Sequence, residues 1–490
     1  GWTATNLVRA DLALHCLRLD LSFHNAKTPG EMIERVDGDV THLSRFFSQF
    51  AVRVFGNLLL LLGVLVMIFR VDRRVGLAYV VFSLFALFAL RKLLDLAVPY
   101  WKQARQASAI LLGFLEERLA GTEDIRSSGA TAYVMRRFFQ AVREQMEKTR
   151  RAWVMGTTMW ATTAALLTLG NAMAFGLGST LYGAGLITFG TVYLLFHYTE
   201  MLRWPLEQIT REVQELQRAS ASVSRVGDLF KIRSRTADGS GTLPRGALAV
   251  EFGGVSFAYE EQLVLRDVTF RLQPGQVLGL LGRTGSGKTT IGRLLIRMYD
   301  PSTGMVSLGG ADIRGLRLHD LRRRVGMVTQ DVQLFHASVR DNLTFFDRTV
   351  PDEKILEVLH RLGLDHWYGG LSDGLDTTLS SRGGLSAGEA QLLAFARIFF
   401  KDPGLVVLDE ASSRLDPATE MLIERAVSVL LEERTAIIIA HRLKTVRRAD
   451  GILIIDDGRI QEYGGRAELE RDPASRFAGL LQTGLEEVLV

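Results

Sequence analysis

The sequence predicts two fold classes in one chain, an all-α membrane domain followed by an α/β domain. Three observations predict this. Long apolar runs lie in the first half. The second half alternates short apolar strands with Gly turns and charged helices. Between one such strand, Val277 to Leu281, and the helical stretch Ile291 to Met298 lies Gly282-Arg283-Thr284-Gly285-Ser286-Gly287-Lys288-Thr289-Thr290. Its spacing of a Gly, four residues and Gly-Lys-Thr is that of a phosphate-binding loop.

At 490 residues the chain is too long for one ordinary domain. Its formal net charge of +4 is small for that length and gives no argument for nucleic acid as a partner. Cys16 is the single cysteine, so no intrachain disulfide forms and nothing points to an oxidising compartment. Gly1 is not an initiator methionine and no secretory signal follows it, so a fragment or processed product of something longer is expected.

Residues 1–49 carry Arg9, Asp11, Arg18, Asp20, Glu31, Glu34, Arg35, Asp37 and Asp39 and are broken at Thr28-Pro29-Gly30; they read as helices in water. From Phe50 to Phe69 the chain is almost wholly apolar, Arg53 and Asn57 excepted. About 20 residues is what a hydrocarbon core of about 30 Å requires of a helix, so this is a first span. The turn Arg70 to Arg74 leads to a second span, 75–90, that ends at Arg91-Lys92. Residues 91–151 read as a polar helical hairpin interrupted at Gly121 to Asp124 and Ser127 to Gly129. A third span, 152–182, carries Gly156, Gly170, Gly176 and Gly178, which predict close helix contact. A fourth runs over 184–204. Four crossings return the chain to its starting side. With that side in the cytosol, Arg91, Lys92, Arg150 and Arg151 obey the positive-inside rule and the Arg70 to Arg74 turn violates it locally.

On the fourth span His197, Glu200 and Arg203 fall three apart and share one helix face. Ionisable groups in a span often line a pathway; near the interface they snorkel to water instead. Residues 231–246, with Asp238-Gly239-Ser240-Gly241 and Pro244, read as a linker between a first domain, 1–230, and a second, 247–490.

In the second domain the glycines let the backbone turn tightly, so that N–H groups converge on phosphate oxygens where a helix N-terminus adds partial positive charge. Lys288 would reach the β- and γ-phosphates and the Thr289 hydroxyl would hold Mg²⁺. Tyr259 would stack on adenine. Gln330, after the strand Val325 to Val328, would approach Mg²⁺ and the attacking water. The strand Leu405 to Leu408 ends in Asp409, for the Mg²⁺ shell, and Glu410, to orient or deprotonate the water. Ser413 to Asp416 follow. His441, after Thr435 to Ala440, would contact the γ-phosphate. Leu385-Ser386-Ala387-Gly388-Glu389 opens a helix whose N–H groups suit a second phosphate. Alone, such a Tyr is usually core, such a Gln solvated and such a His structural. Their order and their placement at strand C-termini carry the reading.

With these motifs in place, the chain resembles a half-transporter of the ABC exporter family, a transmembrane domain fused ahead of its ATPase domain. The resemblance is most specific over 248–482. Tyr259 resembles the A-loop, Gly282 to Thr290 the Walker A, Gln330 the Q-loop, Leu385 to Glu389 the signature, Leu405 to Glu410 the Walker B, Ser413 to Asp416 the D-loop and His441 the H-loop. The membrane half resembles the family at Gly30-Glu31 with Arg35 and Asp39, and at Arg203-Trp204-Pro205-Leu206.

The resemblance implies an α/β P-loop ATPase domain with a mixed sheet and a helical subdomain. It also implies ATP and Mg²⁺ as cofactors, with Gly282, Thr284, Gly285, Ser286, Gly287, Lys288, Thr289 and Thr290 binding nucleotide and Thr289, Gln330 and Asp409 binding the metal. The family usually has six spans per half, so 1–230 is expected to be a partial domain lacking the first two. In the family two ATPase domains close head to tail, which implies Ser386, Gly388 and Glu389 acting on the partner's ATP; one chain cannot bring its own Ser386 to its own Lys288 if both project from one surface. The cytosolic turns near His15 to Asn25 and Gly121 to Ala130 match the coupling helices. A second half-transporter, a lipid bilayer and a small amphipathic or hydrophobic solute are therefore the expected partners, in a bacterial plasma membrane.

Two residues depart from the family's Leu-Ser-Gly-Gly-Gln signature, Ala387 and Glu389. An unscreened Glu about 10 Å from phosphate costs on the order of 1–2 kcal/mol at an effective dielectric near 20, so the partner's ATP site is expected to be weakened. Homodimer and asymmetric heterodimer both stay open. So does a regulatory, ATP-binding half with little hydrolysis of its own. A soluble ATPase of nucleic-acid repair is opposed by the four attached spans.

Overall fold

The computed structural model describes residues 2–329, 332–379, 385–409, 417–440 and 445–483. They form two compact units, one made of residues up to Leu17 with Thr28–Ile232, the other of Arg18–Lys27 with the residues from Arg233 onward.

The first unit is helical. In chain order the helices are α1 (Trp2–Arg18), α2 (Leu21–Ala26, counted with the second unit), α3 (Pro29–Ile33), a π-helical turn Glu34–Asp39, α4 (Val40–Val71), α5 (Arg73–Ala120), α6 (Thr122–Ser127), α7 (Thr131–Gly183) and α8 (Phe189–Lys231). Asp72 separates α4 from α5 and caps the latter, its carboxylate accepting the N–H groups of Arg74 at 2.7 Å and Val75 at 3.3 Å. Among the described residues three helices are long and apolar enough to cross a membrane, Pro29–Val71, Arg73–Ala120 and Thr131–Gly183. The fourth expected span falls on α8, which opens at Phe189 behind an N-cap, Thr188, rather than at Ala184. Gly170 and Gly178 make the close approaches expected of them, since a Cβ would lie 2.8 Å from Thr199 Cγ2 and 2.9 Å from Val192 Cγ1. Gly176 meets open space, and at Gly156 the nearest atom is a Trp101 ring carbon at an ordinary 3.6 Å. Asp39 is fully buried and accepts from Ser222 at 2.8 Å, Arg225 Nε at 3.0 Å and Arg35 at 3.2 Å, which ties the π-helical turn to α8.

The second unit is α/β. Its elements continue with β1 (Val250–Tyr259), β2 (Gln262–Leu272), β3 (Val277–Leu281), α9 (Lys288–Leu295), β4 (Thr303–Leu308), β5 (Ala311–Asp312), α10 (Leu318–Arg324) and β6 (Val325–Val328). A largely helical subdomain follows, with β7 (Ala337–Ser338), α11 (Val339–Thr344), α12 (Asp352–Arg361), α13 (Asp365–Gly369), β8 (Thr378–Leu379) and α14 (Ala387–Phe399). The chain then forms β9 (Leu405–Asp409), α15 (Pro417–Leu431), β10 (Thr435–Ile439), β11 (Gly451–Asp456) and β12 (Arg459–Gly465).

An antiparallel sheet runs β2-β1-β4-β5, and a mixed sheet runs β12-β11-β3-β10-β9-β6, parallel throughout except at β12. Every residue of β3, β9 and β10 is buried. Strands covered on both faces read as unbroken apolar runs, which is why their positions are visible in the sequence. Because β3, β10, β9 and β6 are parallel neighbours, their C-terminal ends share one edge. The phosphate loop leaves β3 there, and Asp409 closes β9 beside it.

Candidate nucleotide site

The loop between β3 and α9 is shaped by its glycines. Gly282 has φ of +151°, and a Cβ on it would lie 2.1 Å from the Ile455 carbonyl oxygen. Gly287, at φ of +106°, is the N-cap of α9, and a Cβ there would lie 2.6 Å from Leu265 Cδ2. No L side chain is accommodated at either point without displacing its neighbours. Arg283, Thr284 and Gly285 form the exposed crown of the loop, closed by a hydrogen bond from Ser286 N–H to the Arg283 carbonyl at 3.1 Å.

Three polar side chains lie beneath that crown, Lys288 and Ser286 buried and Thr289 partly so. Lys288 is 5% exposed, and its Nζ donates to the carbonyls of Gly282 at 2.6 Å and Arg283 at 2.8 Å. Burial pushes its ammonium below the ordinary lysine value, against the opposing pull of Asp409. Thr289 Oγ1 donates to Asp409 Oδ2 at 2.9 Å, joining the start of α9 to the end of β9. An alcohol and a carboxylate side by side are the hard oxygen donors that suit Mg²⁺. The Ser286 hydroxyl is buried without a hydrogen-bond partner. Such an orphan is costly unless a ligand meets it, and its position in the cradle fits a phosphate oxygen.

Tyr259 ends β1 beside this loop. Its hydroxyl shares a hydrogen bond with Thr290 Oγ1 at 3.2 Å and accepts one from Arg293 Nη1 at 3.2 Å. Tyr259 is partly buried against the core of the second unit. The structure thus brings Tyr259, Ser286, Lys288, Thr289, Thr290 and Asp409 together. Gln330, Glu410, Asp416 and His441 lie outside the described residues.

The helix of the expected signature is α14, and it is finished differently. Ser386 is its N-cap, accepting the Glu389 N–H at 3.2 Å, and the Glu389 carboxylate accepts the Ser386 N–H at 2.7 Å. Gly388, between them, is buried. The acid that replaces the family's Gln therefore sits on the helix end that would receive a phosphate.

The membrane residues do not form one cluster. Glu200 accepts from Asn171 of α7 at 2.8 Å, Arg203 donates through Nε to Glu207 of its own helix at 3.3 Å, and His197 is exposed. Arg203 and Glu207 line a cavity of about 230 Å³ with Leu90, Met159, Trp160 and Thr163.

Sequence reasoning missed Arg293, Tyr299 and Asn25. Tyr299 packs on Tyr259, and Asn25 donates to the Tyr299 hydroxyl at 3.0 Å. The aromatic before Asp300-Pro301 is the available signal for Tyr299; Asn25 closes the stretch matched to a coupling helix, but its partner, 274 residues away, is not readable from the sequence.

Comparison with known proteins agrees with this arrangement. Residues 2–206 match the ABC transporter transmembrane region and residues 265–413 the ABC transporter domain. A fatty acid ABC transporter ATP-binding/permease protein of Mycobacterium bovis is 31% identical over 464 residues, 94% of this chain and 74% of that protein. An ATP-dependent lipid A-core flippase of Coxiella burnetii is 28% identical over 477 residues, 95% of this chain and 80% of that one. The solved structure of a bacterial Atm1-family ABC exporter with ATP bound superposes with a TM-score of 0.83 at 24% identity, covering 99% of this chain and 86% of that one, and shares the fold.

Proposed function

The chain belongs to the ABC transporter family, as a membrane region fused to its ATPase domain, and from that premise we propose that it spends ATP to export an amphipathic or hydrophobic solute. An ATPase activity coupled to transport comes with the family, as does an integral membrane location and work as a dimer. The observation that carries the ATP-using part of the proposal is the 2.9 Å contact of Thr289 with Asp409 beside the buried Lys288.

In this reading Lys288 leaves the loop carbonyls for the β- and γ-phosphates of ATP, and the open N–H groups of the loop and α9 hold the remaining oxygens. Tyr259 stacks on the adenine. Thr289 and Asp409, with Gln330, would hold Mg²⁺, which would supply charge to offset that building on the transferred phosphoryl group. Glu410 orients the attacking water, His441 contacts the γ-phosphate, and Asp416 belongs to the surface that meets the partner. Ser386, Gly388 and Glu389 face the partner's ATP. Relatives named for fatty acids and for lipid A-core support an amphipathic cargo. The α8 residues His197, Glu200 and Arg203, with α8 as the fourth span, either line the solute's path or snorkel to water at the interface, and bacterial relatives support the plasma membrane as the location.

A second reading is a regulatory half that binds ATP while a partner performs most of the hydrolysis; the capping box at Glu389 does not support it, because Glu389 faces the partner's ATP in this reading and not this chain's own. One substitution separates the two. Glu410→Gln in the assembled dimer in lipid nanodiscs is expected to reduce ATP turnover by about 10²-fold or more. Unchanged turnover sinks the catalytic assignment and leaves the regulatory reading.

A further inference from the structure

The adenine-facing Tyr259 is supported by contacts that nucleotide binding alone does not require. Its ring meets Tyr299 edge to face, with centroids 5.2 Å apart at 86°, and Phe257 likewise at 4.8 Å and 90°. Its hydroxyl is pinned by Thr290 and Arg293. Two edge contacts fix the plane of the ring, and two hydrogen bonds fix its tip. The support is itself supported. Tyr299 is 7% exposed, and burial pushes its phenol above the ordinary tyrosine value, so it remains neutral at physiological pH. Its hydroxyl would be poorly satisfied there without the 3.0 Å hydrogen bond from Asn25 Nδ2. Asn25 lies on α2, which is held to the second unit by its own N-cap: Asp20 accepts the Phe23 N–H at 3.2 Å and the Arg235 N–H at 2.6 Å. In sequence α2 lies between α1 and α3 of the membrane unit.

Among the described residues the phosphate-facing side chains make no hydrogen bond to α2: Lys288 is held by the loop and Thr289 by Asp409 of β9, while Thr290, at the start of α9, joins that helix to the Tyr259 hydroxyl. We propose that Tyr299, held by Asn25, is a positioning residue that sets the plane of Tyr259 for the nucleobase. The grip on the base then depends on α2, while the grip on the phosphates does not. This rests on the stacking role proposed for Tyr259.

The two grips are separable because ribose 5-triphosphate carries the phosphates and lacks the base. In the full chain in lipid nanodiscs, Tyr299→Phe keeps the ring and removes only the hydroxyl. We expect its affinity for ATP to fall by about 2- to 10-fold and its affinity for ribose 5-triphosphate to stay as in the wild type. The KM for ATP rises by the same factor with kcat retained. Asn25→Ala should match it, and the double variant should be no worse than either, because both changes delete one hydrogen bond.

Tyr259→Ala is the reference. It is expected to abolish the preference for ATP over ribose 5-triphosphate. If that preference survives Tyr259→Ala, the stacking role fails and the inference falls with it. If Tyr259→Ala removes the preference and Tyr299→Phe leaves it whole, stacking stands and the positioning role is overturned. An equal loss for both ligands in Tyr299→Phe overturns it too, because a general structural defect weakens the phosphates as much as the base.

Discussion

Two helix N-termini in the second unit, those of α9 and α14, carry the same backbone chemistry and are completed in opposite ways. α9 starts at Gly287, which offers no capping side chain, and the nearest cation, Lys288, is folded onto the loop. α14 starts at Ser386 with a reciprocal capping box closed by the Glu389 carboxylate. An open end keeps its N–H groups and partial positive charge for an anion. A capped end has them satisfied from within and adds a negative charge of its own. Under the proposed function, the half-site assigned to this chain's own ATP is therefore built for phosphate, and the one assigned to a partner's ATP is not built equally well.

The comparison breaks most completely at Gly282. In Gly282→Ala the new Cβ meets a backbone carbonyl, not a flexible side chain, at a φ that alanine resists. The loop must shift, and a displacement on the order of 1 Å costs about 10²-fold in such a site. ATP affinity, measured on the reconstituted chain, is expected to fall by at least that factor. Wild-type affinity in this variant would show that the loop's geometry does not make the cradle.

The contrast also shows what a sequence can and cannot display. β3 and β6 occupy the expected residues 277–281 and 325–328, because a buried parallel strand is an apolar run that needs no partner to be recognised. The phosphate loop is equally legible, since local backbone geometry dictates its glycines. The capping box at α14 is only half legible. Ser386 and Glu389 show a Ser three residues before a Glu, but whether that Glu turns to the helix or to a ligand is decided by its rotamer. The Asn25 to Tyr299 bond is half legible: the resemblance marks His15 to Asn25 as a coupling helix, but which residue of the ATPase domain it meets lies 274 residues away and leaves no trace in the sequence. In the membrane unit, four glycines look alike in sequence, yet Gly170 and Gly178 are packed while Gly176 is not, since only the helix crossing decides which face meets a neighbour.

A milder test acts on α14 alone. Gln completes a capping box as Glu does, so Glu389→Gln keeps the local geometry and removes only the charge. The carboxylate's cost on the order of 1–2 kcal/mol corresponds to about 5- to 30-fold in affinity. ATP bound between this signature and a partner's phosphate loop is expected to tighten by that amount. An unchanged affinity would mean that the charge is screened, and the two helix ends would then differ in form without differing in strength.

The smallest expected effect distinguishes the two roles of Ser386. As an N-cap its hydroxyl stabilises α14 by about 1 kcal/mol relative to Ala, whereas Gly at the same position costs only a few tenths. As a phosphate ligand its hydroxyl is lost equally in both replacements. Ser386→Ala and Ser386→Gly therefore agree if the hydroxyl touches ATP and disagree if it only caps the helix. Amide hydrogen exchange over α14 is expected to show fraying in the Ala variant and near-wild-type protection in the Gly variant. ATP turnover by the dimer is expected to fall in both by the same factor. Turnover that instead follows the fraying, low with Ala and preserved with Gly, assigns Ser386 to the cap alone and leaves the α14 end without a side-chain ligand for phosphate.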